Sequence, residues 1–310
     1  MSAILDAILT LVRLVQAPFC LVSILLYLLV QLTLIKHRNS ARLNSCFFRI
    51  SVSLGFADLL FAFNYKLLIS GRMRGLAFHY YAMLDPALRY CTNYIIYYFL
   101  ICQCFGVVFM SANRCTAIAL PFKHASLWSG NSAVYSILCQ WILAFIVTSP
   151  MMYYGQGSYV LTNSTLVEFV YDHPKQWSIG VALIAAVLFF CGISLAVGYL
   201  LAFHVALRHQ KKLALNKTAQ EAKKSRKRKV ELKLAVSGFV LTVEMLVGSV
   251  VAILLTISGN FAKYYDLYSL VHDLFTLSNP YLLLFCSSAV RAKLRMIFPP
   301  LRNGIVSTVA

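Results

Sequence analysis

Few residues of this 310-residue chain could do chemistry, and those that could stand in apolar company. Asp58, Glu244, His272 and Asp273 are ionisable groups set in runs of Leu, Val, Ile and Phe, together with Gln103, Asn113, Arg114 and Asn279. An ionisable group in lipid is costly and persists where it has a partner or a wet site, so each marks a candidate site. Asp58 and Asn279 lie on separate runs, and on adjoining helices they could share waters or a sodium ion in an internal cavity. Gln103 stands about three helical turns before Arg114, on the same helix face, and could join that cluster. A fixed polar network without an ion would use the same residues equally well.

A second group could hold a ligand. Tyr94, Tyr98 and Cys102 recur with Cys91 and Ile101 at helical spacing, and Tyr268, His272 and Asp273 lie together on a later run. With Glu244, these would line a cleft where converging helices open to water. The tyrosines suit an interfacial aromatic belt as well, and Tyr97, off that stripe, would face a neighbour or lipid. Catalysis finds no support: there is no His-Glu-x-x-His helix, no Gly-x-Ser-x-Gly elbow and no phosphate-binding glycine loop. Cys102-Gln103-Cys104 lacks further ligands for a metal and reads as small apolar packing. No other cofactor is indicated. The alternative class is a transporter or ligand-gated channel, with Asp58, Glu244, His272 and Asp273 along a permeation path. The halves of the chain show neither an inverted repeat nor a pair of broken helices that would support it.

The elements that must position these residues are seven apolar stretches: Pro18–Ile35, Phe47–Ser70, Tyr90–Ala119, Val134–Met152, Ile179–Leu207, Leu232–Ser258 and Leu267–Ala289. A helix crosses a hydrocarbon core of about 30 Å with about 20 residues. The chain is 60% hydrophobic and 12% charged, against about a quarter charged in a soluble domain, and a bilayer supplies the missing apolar surroundings. The expected fold is an all-α membrane protein, a seven-transmembrane bundle forming one domain over 1–310. Most of the 28 Lys and Arg residues fall in the first connector, at the end of the third span, in a basic loop at 208–231 and in a short tail at 290–310. By the positive-inside rule these face the cytoplasm, which puts the N-terminus outside.

The net charge of +18 gathers at membrane ends instead of interleaving with stacking aromatics, which argues against nucleic acid. Lys223–Lys229 suits anionic membrane lipids and could dock an acidic partner. No basic n-region precedes the first run, so that run should be its own uncleaved insertion signal. Asn163-Ser164-Thr165 is a glycosylation sequon in a predicted outer loop, whereas Asn216-Lys217-Thr218 falls in the basic inner loop and should stay bare. Of the 9 cysteines only Cys91 lies near the outer face, and the outer loop Tyr153–Trp177 has none, so no disulfide can tie that loop to the third span. Arg291–Phe298 should form an amphipathic helix along the membrane, stopped by Pro299-Pro300.

Several motifs occur in a familiar order: Leu54-Gly55-Phe56-Ala57-Asp58-Leu59, Asn113-Arg114-Cys115, Trp141 with Pro150, and Asn279-Pro280. Together they resemble the rhodopsin-like G-protein-coupled receptors over all seven spans. The segment Ala112 to His124, with Asn113-Arg114-Cys115-Thr116-Ala117, Pro121 and then Trp128, more closely resembles the nematode serpentine chemoreceptors, in the gamma and V classes of the Srg superfamily. The resemblance implies a receptor in a sensory-cell plasma membrane, binding a small chemosensory ligand and activating a heterotrimeric G protein. Asn113, Arg114, Cys115, Glu231, Asn279 and Pro280 would serve activation and coupling. Asn113 cannot hold Arg114 as an aspartate would, and Glu231 is a candidate partner. Leu283 stands where the family has its helix-7 tyrosine, and Tyr281 faces elsewhere.

Overall fold

The structure, a computed structural model of the chain, describes residues 2–40, 43–66, 86–154, 157–163, 166–214, 219–258 and 261–297. Its helices are apolar on their outward faces as well as in the core. On α1 (Ser2–Lys36), Gln16, Cys20, Ser23, Tyr27, Gln31 and Leu34 are buried at steps of three or four, whereas Leu14, Leu21, Leu25, Leu28 and Leu32 are exposed. One stripe of the helix packs inward and the opposite stripe faces lipid.

Six helices among the described residues are long and apolar enough to cross a bilayer. They are carried by α1, α2 (Cys46–Asn64), α3 (Pro86–Ala119), α5 (Ser132–Tyr154), α6 (Pro174–Ala214) and α7 (Ala219–Ser258). The seventh crossing is made in two pieces, α8 (Phe261–Leu277) and α9 (Asn279–Cys286). Pro280 sits in the first turn of α9, where its missing N–H costs nothing, and its ring prevents a continuous helix through Ser278. A seven-transmembrane helical bundle results, as the sequence predicts.

The third span is the central one, packed against α2, α5, α6 and α7. The fifth span, α6, is the least enclosed and shows Leu183, Phe190, Leu200 and Leu201 outward. It meets α7 closely at Gly238, where a Cβ would run into the hydroxyl of the fully buried Tyr199. Absence of a side chain there lets the two backbones approach.

The connectors supply the rest. Pro121 opens the short helix α4 (Pro121–Leu127) between the third and fourth spans. Between α5 and α6 lies an antiparallel hairpin, β1 (Gly157–Asn163) with β2 (Leu166–Tyr171), pairing Gly157 with Tyr171; it sits outside the helical bundle and was not expected from the sequence. The basic segment 208–231, read as a loop, is carried largely on the ends of α6 and α7. Lys, Arg, Glu and Ala are good helix formers, and a helix leaving the membrane needs no apolar face. After α9 the chain turns at Ser287 into the amphipathic helix α10 (Ser288–Ile297), which begins three residues earlier than expected. The side chains of Asn163, Glu231 and Lys223–Lys229, together with Asn216 and residues 298–310, lie outside the described residues.

Candidate functional site

Polar side chains collect at three levels along the bundle. At one end, Arg114 is 4% exposed and its guanidinium carbon lies 3.8 Å from the centre of the Phe47 ring, a cation–π contact at the start of α2. The neighbouring Asn113 is buried with both amide atoms lacking a hydrogen-bond partner. Both residues line a polar cavity of about 640 Å³, together with Asn44, Ser45, His124, Trp128, Ser287 and Ser288. Thr116 organises its rim: its Oγ1 accepts from Trp128 Nε1 at 2.8 Å and shares a bond with His124 Nδ1 at 3.2 Å. The chemoreceptor-like segment is therefore a clasp, fixing α4 to the end of α3. On the other side, Arg291 Nη1 donates to the carbonyls of Leu284 and Phe285, each at 2.6 Å, and so satisfies the end of α9. Cys115 turns toward the fifth span, its Sγ 3.9 Å from where a Cβ on Gly198 would stand.

In the middle, Asp58 and Asn279 are both buried, and a residue from the first span joins them. Asn279 Nδ2 donates to Tyr27 Oη at 2.7 Å, and Tyr27 Oη donates to Asp58 Oδ2. Gln103 bonds elsewhere: its Oε1 accepts from Thr276 Oγ1 at 3.4 Å. Pro280 is buried beside Asn279, as is Leu283, while Tyr281 turns to the first span, sharing a bond with Ser23 Oγ at 2.9 Å and stacking on Phe19. Glu244 of the sixth span accepts from Ser278 Oγ at 2.7 Å, which ties that span to the break in the seventh.

Toward the other end, a cavity of about 50 Å³ is lined by Tyr97, Leu100 and Cys104 of the third span, Glu244 and Met245 of the sixth, and Tyr268, His272 and Phe275 of the seventh. It is room for a few waters, well below the several hundred Å³ of a drug-sized site. Glu244, Tyr268 and His272 line one cavity, and His272 Nδ1 is buried without a hydrogen-bond partner. The third span presents a different face from the one expected. Tyr94 and Tyr98 turn to the fourth span, bonding Thr148 Oγ1 at 3.2 Å and the Trp141 carbonyl at 3.4 Å, and Cys102 packs in the same cluster. Tyr97 takes the cavity position instead, edge-on to Trp177 at 4.8 Å.

Asp273 faces away from the cavity, into a cluster that the sequence did not reveal. Its Oδ2 accepts from Lys66 Nζ at 2.6 Å, from Cys20 Sγ at 3.2 Å and from Gln16 Nε2. Ser269 Oγ accepts from the same Gln16 nitrogen at 2.9 Å. A signal existed: Gln16, Ser23, Tyr27 and Gln31 are polar at helical steps along the first span. A second internal bridge joins spans two, three and four, where Gln140 accepts from Ser53 at 2.9 Å and donates to the Cys102 carbonyl at 3.1 Å, while Trp141 Nε1 donates to Ser53 at 3.0 Å.

Residues 16–298 match a family model described as serpentine type 7TM GPCR chemoreceptor Srv. The chain is similar to serpentine receptor class V-1 of Caenorhabditis elegans, 26% identical over 182 residues, which is 55% of this chain and 51% of that protein; the match spans about half the relative's length. The fold is similar to the crystal structure of squid rhodopsin, with a TM-score of 0.73 at 16% identity, covering 95% of this chain and 86% of that one.

Proposed function

Since the chain belongs to the serpentine type 7TM GPCR chemoreceptor family Srv, a family of receptors and not of enzymes, we propose that it binds a small extracellular ligand and activates a heterotrimeric G protein. The ligand site is the cavity of Glu244, Tyr268 and His272; the G-protein site is the opening around Arg114. The observation that carries this reading is their separation. On the second span, Phe47 in the first turn lies against Arg114 and Phe61 lies 5.7 Å, ring centre to ring centre, from His272; the stretch between them is about 21 Å of helix. Two openings at opposite ends of one bundle suit a signal carried across a membrane.

The coupling would pass through the seventh span. A ligand that engages Glu244 competes with Ser278, which sits at the break between α8 and α9, and so biases how the inner segment meets the sixth span. A ligand can shift such an equilibrium only by its difference in affinity for the two arrangements. Asn113 and Arg114, with Trp128 and Ser287 at the rim, would contact the G protein, and the basic ends of α6 and α7 would lie on the cytosolic side. The receptor would sit in the plasma membrane of a sensory cell. The matching family model is that of class V, and a shared superfamily with class gamma rests on the segment Ala112 to His124, with Trp128 after it.

The Asp58 cluster is better read as a hydrogen-bonded bridge than as an ion site. Tyr27 and Asn279 direct hydrogens along the path to the carboxylate, whereas a hard cation needs converging oxygens. The test of the whole proposal is nucleotide exchange on G proteins, in vesicles containing the chain, during a screen of small molecules. Ligand-driven exchange that Arg114→Ala abolishes is expected; ligand-driven ion current without exchange would assign the chain to the channels.

A further inference from the structure

The first, second and seventh spans converge on an ion pair that nothing in the ligand cavity uses. Asp273 is closed off: its side chain is 6% exposed and one oxygen receives Lys66, Cys20 and Gln16. Lys66 is open by comparison, with 20% of its side chain exposed. Its ammonium has three hydrogens and two acceptors, Asp273 Oδ2 at 2.6 Å and Ser269 Oγ at 3.4 Å. Gln16 supplies a second, independent feature. Its nitrogen is committed to Ser269 and Asp273, which fixes the amide orientation, and its Oε1 is buried with no hydrogen-bond partner. A buried acceptor left empty beside a partly open ammonium is costly unless something fills it.

The cluster also borders the ligand cavity. His272 lines that cavity and its ring lies 6.4 Å from Tyr65, whose face in turn lies 5.5 Å from Lys66 Nζ. Resting on the receptor reading above, we propose that this cluster is the polar subsite of the ligand, and that the ligand is a small carboxylate. Its anion takes the Lys66 ammonium in competition with Asp273, and a hydroxyl beside that anion donates to Gln16 Oε1. A cationic group does not fit this cluster, because its one carboxylate, Asp273, is enclosed and already holds three donors. The Lys66–Asp273 pair then acts as a latch between the second and seventh spans that binding opens.

The test is thermal unfolding of the purified receptor in detergent with butanoate, 2-hydroxybutanoate, methyl butanoate and butylamine. The two acids should raise the midpoint, the hydroxy acid at lower concentration, while the ester and amine leave it unchanged. Lys66→Met should remove the response and Lys66→Arg should keep it. Asp273→Asn frees the ammonium from its internal competitor and should lower the half-saturating acid concentration by about tenfold. The neutral pair Lys66→Met/Asp273→Asn leaves no buried charge alone, so it should fold and yet ignore both acids. An acid response that survives in Lys66→Met, no acid response in wild type and Asp273→Asn alike, or stabilisation by butylamine would overturn the proposal. Binding is read here without G protein, so acid binding with no exchange on G protein would count against the receptor reading and leave the subsite standing.

Discussion

Asp58 and Asn279 stand out in the sequence because each breaks an apolar run, and the structure buries both. Tyr27, which joins them, does not stand out, since a tyrosine in a membrane span reads equally as part of an interfacial belt. Tyr27→Phe keeps the ring and deletes the hydroxyl, leaving Asp58 and Asn279 each short of a partner. The expected loss is about 1–3 kcal/mol, seen as a lower thermal midpoint. If the bridge needs no ion, the wild-type midpoint is the same in sodium chloride and in choline chloride at equal strength. Stabilisation specific to sodium would show that an ion occupies the site. Tyr94, Tyr97 and Tyr98 mark the other limit at this scale. Spacing puts Tyr94 and Tyr98 on one stripe and Tyr97 about a quarter turn away, but lipid and packed neighbours are equally apolar, so spacing does not say which stripe faces the cavity.

Among the elements, the seven spans were legible because length and hydropathy suffice to define them, but the seventh was read as one run, Leu267–Ala289, and its division at Ser278 was not anticipated. The closeness of the fifth and sixth spans was not legible, because it depends on which residue faces Gly238. Gly238→Ala pushes a methyl into the buried Tyr199, a ring already packed on Phe203 and Phe239. Such overpacking costs about 1–3 kcal/mol, and thermal unfolding should show it, whereas Gly130→Asn, in an open turn with φ of 57°, should be tolerated. Thr116→Val tests the clasp on α4. It keeps the shape, removes the acceptor for Trp128, and should loosen α4 by about 1 kcal/mol. Hydrogen exchange over residues 121–128 should quicken by about fivefold, with ligand binding at the far end unchanged. Equal protection in the variant would mean that the Trp128 bond holds nothing in place.

At the scale of the molecule, the direction of signalling depends on which end faces the cytosol. The bundle's two openings do not decide it: a large polar cavity lies at the Arg114 end and a small cavity with an ion pair at the other. Direction comes from charge, because the Lys and Arg residues gather at the Arg114 end, and that asymmetry is legible in the sequence alone. The hairpin on the opposite side is not, since its register rests on pairing between two short segments that carry no strong turn signal. The two sequons fall on opposite sides of the proposed membrane, which makes sugar attachment the most direct measurement. When the chain is made in cells that glycosylate secreted proteins, enzymatic removal of N-glycans should speed its migration on a gel, and Asn163→Gln should abolish that shift while Asn216→Gln does not. A shift that persists in Asn163→Gln and disappears in Asn216→Gln would place Arg114 outside the cell and contradict the proposed coupling.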